Sequence, residues 1–301
     1  MMRDMIRSCG LPDPNTADLT DVANADTIKA SLLYSVTTMH TLFNVTNTLI
    51  LIWFIPQIEK IVSWIIPQKA EKEVFRLKYI QGGPLSTAEL SLDEAEQEIV
   101  HFSEICYNDF LYMRQAIVEN SADKFSELRE KLIKYEAITD RIEYEIADYL
   151  NQVAKGEISE SSAKRINGMY KIIGELESIG DSGDAVGRIL ARRNEHGLSF
   201  DEEQLKRLGR MCDIVDDAFK AMTANLKVAY TSLKDITNAQ DAEYNINECR
   251  NTLREEHIIN IEENPDYNYQ VGVFYMDIVA ELEKIGDFII NISEAKIAEN
   301  G

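Results

Sequence analysis

From residue 91 to the C terminus, apolar side chains return every three or four positions, the period of a helix with one buried face. Ile99, Phe102, Ile105, Phe110, Met113 and Ile117 form such a stripe. The pattern predicts six long helices. The first opens at Ser91-Leu92-Asp93-Glu94, which reads as a capping box. The second covers residues 122–154 and stops before Gly156. The third covers 159–194 and stops before Gly197. A second capping box, Ser199-Phe200-Asp201-Glu202, opens the fourth, which ends near Ser232. The fifth covers 239–263 before Pro265, and the sixth 269–298. Long helices joined by short connections imply an antiparallel bundle.

A different pattern precedes them. Residues 31–58 carry no Asp, Glu, Lys or Arg. About 20 apolar residues in a helix cross a bilayer, so this stretch predicts one transmembrane helix, followed by a short amphipathic piece over 61–66. Trp53 and Trp64, the only tryptophans, stand where interface anchors are expected. Lys60, Lys69, Lys72, Arg76 and Lys78 follow, an excess of positive charge that places the C-terminal side in the cytoplasm. Within the apolar stretch His40 and Asn44 share a helix face, where polar groups point at protein or water rather than lipid. Residues 1–30 are polar and acidic and read as a loop or the remnant of an upstream region. Residues 67–90, with Gly82-Gly83-Pro84, read as a linker.

The helical part contains a duplication. Glu175-Leu176-Glu177-Ser178-Ile179-Gly180-Asp181 returns as Glu281-Leu282-Glu283-Lys284-Ile285-Gly286-Asp287. In each phrase Glu and Asp stand four residues apart, on one helix face. Upstream, Glu136-x-x-x-Asp140 has its counterpart in Glu243-x-x-x-Asn247. Each half is therefore three helices, over 91–197 and 198–301, with one carboxylate pair on its middle helix and another on its last. Like charges at this spacing cost an isolated helix about 0.2–0.5 kcal/mol, and a bound cation offsets that cost. Facing pairs of hard oxygen ligands suit iron, manganese, magnesium or calcium, with zinc also open. The candidate metal ligands are Glu136, Asp140, Glu177 and Asp181 in the first half. Those of the second are Glu243, Asn247, Glu283 and Asp287, where the Asn247 amide lowers the anionic charge.

Composition narrows the function. The formal net charge of −21 and a pI near 4.6 exclude a general nucleic-acid binder, which needs a basic face. Cys9, Cys106, Cys212 and Cys249 share no C-x-x-C spacing and read as reduced core thiols. A di-iron oxidase needs two Glu-x-x-His motifs; only Glu98-x-x-His101 is present. With no nucleophile elbow, phosphate loop or Ser-His-Asp set, the expectation is binding without catalysis, so no enzyme.

The repeated E-L-E-x-I-G-D phrase with its upstream E-x-x-x-D partner resembles the PhoU domain. The segment Met39-His40-Thr41-Leu42-Phe43-Asn44-Val45 resembles the last membrane segment of bacterial sodium/phosphate cotransporters, many of which carry a PhoU-like domain directly after it. The resemblance implies an all-α chain: one transmembrane helix, then a six-helix PhoU-like bundle of two three-helix repeats. It implies a metal-binding regulatory domain in phosphate homeostasis, attached to the inner membrane with its bundle in the cytoplasm. Sodium, phosphate, the cotransporter's transport core and the membrane would be its partners, with room for a homo-oligomer. The alternative is a PhoU-like regulator that binds a separate phosphate transporter or a signalling kinase. The Q-S-S-S motifs of the cotransporter core are absent, so the chain looks like the C-terminal portion of such a protein and is expected to move no phosphate alone.

Overall fold

The computed structural model describes residues 25–65, 77–85, 87–265 and 267–298. Residues 1–24 lie outside it, with Cys9 and most of the N-terminal loop, as do residues 66–76, the first part of the expected linker, and residue 86. The chain divides into two units, residues 1–74 and 75–301.

The described part of the first unit is a single helix, α1, Ala25–Ile65. Four of its polar side chains bond within the helix. Thr37 Oγ1 donates to the Leu33 carbonyl at 2.8 Å and Thr41 Oγ1 to that of Thr37 at 2.9 Å. Asn44 Nδ2 and His40 Nε2 stand 3.0 Å apart. Leu33, Val36, Met39, Phe43, Ile50 and Phe54 are all exposed. Among the described residues, however, no helix is long and apolar enough to cross a membrane. The transmembrane helix expected over 31–58 is thus unsupported: the Thr, Asn and His side chains between residues 37 and 48 dilute the apolar run. The side chains of Trp53 and Trp64, expected as interface anchors, lie outside the described residues.

The second unit is all-helical among the described residues. The helices are α2 (Ala88–Val118), α3 (Ala122–Ala154), α4 (Glu160–Glu195), α5 (Glu202–Lys227), α6 (Thr237–Glu263) and α7 (Tyr269–Ala298). A 3₁₀ turn at Tyr230–Ser232 joins α5 to α6. The first three helices pack on one another, as do the last three; α4 against α7 and α2 against α5 join the two sets. One apolar core runs through both sets and includes Phe102, Phe110, Leu132, Ile146, Leu176, Phe219, Ile278 and Leu282. Fully burying one such side chain is worth about 1.5–3 kcal/mol.

Both predicted capping boxes are misplaced. The N-cap of α2 is Thr87, four residues before the expected Ser91, its Oγ1 accepting the Leu90 N–H. Ser91 ties down the linker instead, its hydroxyl accepting the Leu85 N–H at 2.9 Å. At α5 the box is formed by Asp201 and Gln204, which bond each other's backbone N–H groups. Ser199 lies outside the helix. The fourth helix also ends sooner than expected, at Lys227, and residues 230–232 form the 3₁₀ turn. Gly197, at φ 66°, closes α4 in the left-handed conformation that a side chain would strain, and the Leu198 N–H returns to the Arg193 carbonyl at 3.1 Å.

Candidate metal centre

Glycine sets the spacing between the helices that carry the carboxylates. Gly180 of α4 lies against Thr139 of α3. A Cβ on Gly180 would stand 2.9 Å from both the Cβ and the Cγ2 of Thr139, and closer still to its Oγ1. Thr139 is fully buried, with its Oγ1 donating to the Glu136 carbonyl at 2.8 Å. Glu136 and Asp140 flank Thr139 at −3 and +1, and Glu177 and Asp181 flank Gly180 in the same way. The Gly–Thr contact is therefore the hub about which the four carboxyl groups are arranged.

Glu136, Asp140 and Asp181 each offer an oxygen, all within 4.8 Å of one another. Two oxygens on one ion, each bound at about 2.0–2.6 Å, stand at most about 4–5 Å apart, so this group fits a shared cation. An all-carboxylate donor set favours oxygen-seeking ions over those preferring thiolate or imidazole. Glu136 is half-buried; Asp140 and Asp181 are exposed. Partial burial, then the charges of Asp140 and Asp181, raise the Glu136 pKa above the ordinary carboxylate value; Arg188 and Arg129 oppose the rise. Those two arginines are held by Asp184, Arg129 at 2.5 Å and Arg188 in direct contact. Glu177 is raised too, by burial first and then by Asp181 and Asp140, with a smaller push from Glu143. It does not belong to the three-oxygen group, and its Oε2 accepts from the Ser178 hydroxyl at 3.3 Å.

The second half is built differently. Gly286 of α7 meets Ile246 of α6, whose Cδ1 would lie 2.7 Å from an added Cβ. Around that contact stand Glu243, Asn247, Glu283 and Asp287. Asn247 Nδ2 donates to Glu243 Oε1 at 3.0 Å. Arg250 reaches in from the next turn of α6: its Nη2 donates to Asn247 Oδ1 at 3.2 Å, and its Nη1 lies 3.5 Å from Glu283 Oε1. Burial raises the Asp287 pKa and Arg250 opposes that rise. Among the described residues, these four side chains do not present a group of three mutually close carboxylate oxygens. The sequence reading missed Arg250. Its signal was available, because 107 residues earlier, at the matching repeat position, stands Glu143.

Comparison with known proteins agrees with this architecture. The PhoU domain family model matches residues 99–190, which include both carboxylate pairs of the first half. The phosphate-specific transport system accessory protein PhoU homologues of two Streptococcus pneumoniae strains, TIGR4 and R6, are each 30% identical over 123 residues. That alignment covers 40% of this chain and 53% of each relative, so the chain spans about half the length of the relatives it matches in sequence. The crystal structure of the phosphate transport system regulatory protein PhoU from Streptococcus pneumoniae superimposes with a TM-score of 0.55 at 19% identity, over 71% of this chain and 96% of that one. PhoU from Pseudomonas aeruginosa gives 0.54 at 18%, over 70% and 97%. The fold is PhoU-like.

Proposed function

We propose that residues 75–301 form a PhoU-like regulatory module of phosphate uptake that works by binding a transporter, without bond chemistry. The observation that carries this reading is the PhoU-domain match over 99–190, which includes the carboxylates at the α3–α4 contact. In this reading Glu136, Asp140 and Asp181 hold a hard cation, with Glu177 beside them, and the ion would supply a positive charge tying α3 to α4. Charge repulsion among the four groups gives the module a reason to change with metal supply. A comparison of cells with and without residues 75–301 tests the regulatory role. Labelled-phosphate uptake, measured against external phosphate, should change its set point in the deletion strain. Identical uptake curves would overturn the proposal.

A tethered form, as in the sodium-coupled cotransporters, is favoured by the uncharged stretch 31–58 and by the exposed apolar side chains of α1. In that form the bundle sits in the cytoplasm beside the transport core. The full chain should then stay in the pellet after an alkaline carbonate wash; release into the supernatant points instead to a separate regulator that meets its transporter or kinase from solution.

A further inference from the structure

The two halves can be compared residue by residue at the site. At an offset of 107, Glu136, Thr139, Asp140 and Glu143 of α3 correspond to Glu243, Ile246, Asn247 and Arg250 of α6. At an offset of 106, Glu177 and Asp181 of α4 correspond to Glu283 and Asp287 of α7. Five carboxylates in the first half thus become three carboxylates, an amide and a guanidinium in the second.

We infer that Arg250 is a built-in cation standing where the first half would hold a metal, so that only the first half of the domain responds to metal. The two changes work as a pair. An aspartate at 247 would repel Glu243, whereas the Asn247 amide donates to it at 3.0 Å and turns its oxygen toward Arg250, 3.2 Å away. The other arm of Arg250 lies 3.5 Å from Glu283, across the α6–α7 contact. The series Glu243–Asn247–Arg250–Glu283 joins the same two helices that an ion would join. The Nε of Arg250 is buried with no hydrogen-bond partner among the described residues, so the guanidinium is held in place by its two outer nitrogens alone. An arginine stays protonated at any physiological pH. The counter-charge of the second half is therefore permanent, while that of the first depends on supply.

The metal arm of this inference rests on the proposed function; the Arg250 arm does not. The full chain is loaded with manganese(II), dialysed, and its metal content measured. Wild type should retain one equivalent, and Asp140→Asn with Asp181→Asn should retain none. Metal retained by that first-half variant would overturn the inference. Asn247→Asp alone should add nothing, because Arg250 remains. Asn247→Asp with Arg250→Glu should add a second equivalent, and failure to do so would count against it. Melting in excess EDTA separates the arms and needs no metal. Arg250→Gln should melt about 2–4 °C below wild type, and Arg250→Lys, which keeps the charge, should recover part of that loss. If wild type holds no manganese, the metal reading fails, and the EDTA melts alone decide Arg250: equal melting of wild type and Arg250→Gln would overturn its role.

Discussion

The Gly180–Thr139 contact sets both the helix spacing and the site, and one methyl group tests it. In Gly180→Ala the new Cβ would stand 2.9 Å from two carbons of Thr139. Thr139 cannot turn away easily: it is fully buried, β-branched and bonded through Oγ1 to the Glu136 carbonyl. The backbone of α4 must shift instead. Overpacking of this kind costs about 1–3 kcal/mol, against a gain of about 1 kcal/mol for replacing a helical glycine by alanine. Gly174, two turns earlier in α4, isolates the gain, because nothing lies within 4 Å of a Cβ added there. Gly174→Ala should stabilise the domain by about 0.5–1 kcal/mol, and Gly180→Ala should fall below it by about 1–3 kcal/mol. Urea titrations in EDTA measure both. Because the shift moves Glu177 and Asp181 away from Glu136 and Asp140, Gly180→Ala should also lose manganese retention, and Gly174→Ala should keep it. Gly286→Ala should cost less, since it meets the flexible end of Ile246. Equal stability of Gly180→Ala and Gly174→Ala would refute the close-approach argument.

Other consequences are accessible to simple measurements. The folded pKa values of Glu136 and Glu177 are raised above their unfolded values, so the native state binds more protons between the two and stability falls as pH rises through that window. In EDTA the urea midpoint should decline from the ordinary carboxylate range upward. Glu136→Gln with Glu177→Gln should flatten the decline, and an unaltered slope would argue against the cluster. Burial drives the Asp109 pKa well up, and its carboxyl lies against Gly183. Asp109→Asn should therefore keep near-wild-type stability at neutral pH; a loss of about 3 kcal/mol or more, as expected for breaking a buried ion pair, would mean that the group is ionised. Burial also raises the Cys106 thiol and pushes Cys212 up to about 12. Mass spectrometry after thiol labelling of the native chain should find both unmodified, with modification appearing only on unfolding.

The helices that could be read along the chain are those whose signals are local. Periodicity and the stops at Gly156, Gly197 and Pro265 place α3, α4, α6 and α7 within two residues of their observed ends. The caps of α2 and α5 were misread because a Ser-x-x-Glu pattern says only that a box can form. Whether Ser91 or Thr87 is the cap depends on the linker, whose Leu85 N–H needs the Ser91 hydroxyl. The carboxylates of the first half were readable because their spacing repeats. That Glu136, Asp140 and Asp181 come within reach of one ion while Glu177 stands beside them was not, since it depends on how closely α4 approaches α3 at Gly180. Arg250 was missed for a related reason. Positions that match between the repeats stand out, whereas the informative position is one where the repeats invert their charge, from Glu143 to Arg250. A duplicated fold preserves the backbone spacing that a cation site needs, and so leaves each half free to meet the same repulsion with a different cation. In this chain the first half places carboxylate oxygens within reach of one ion, and the second closes the equivalent helix pair with its own arginine.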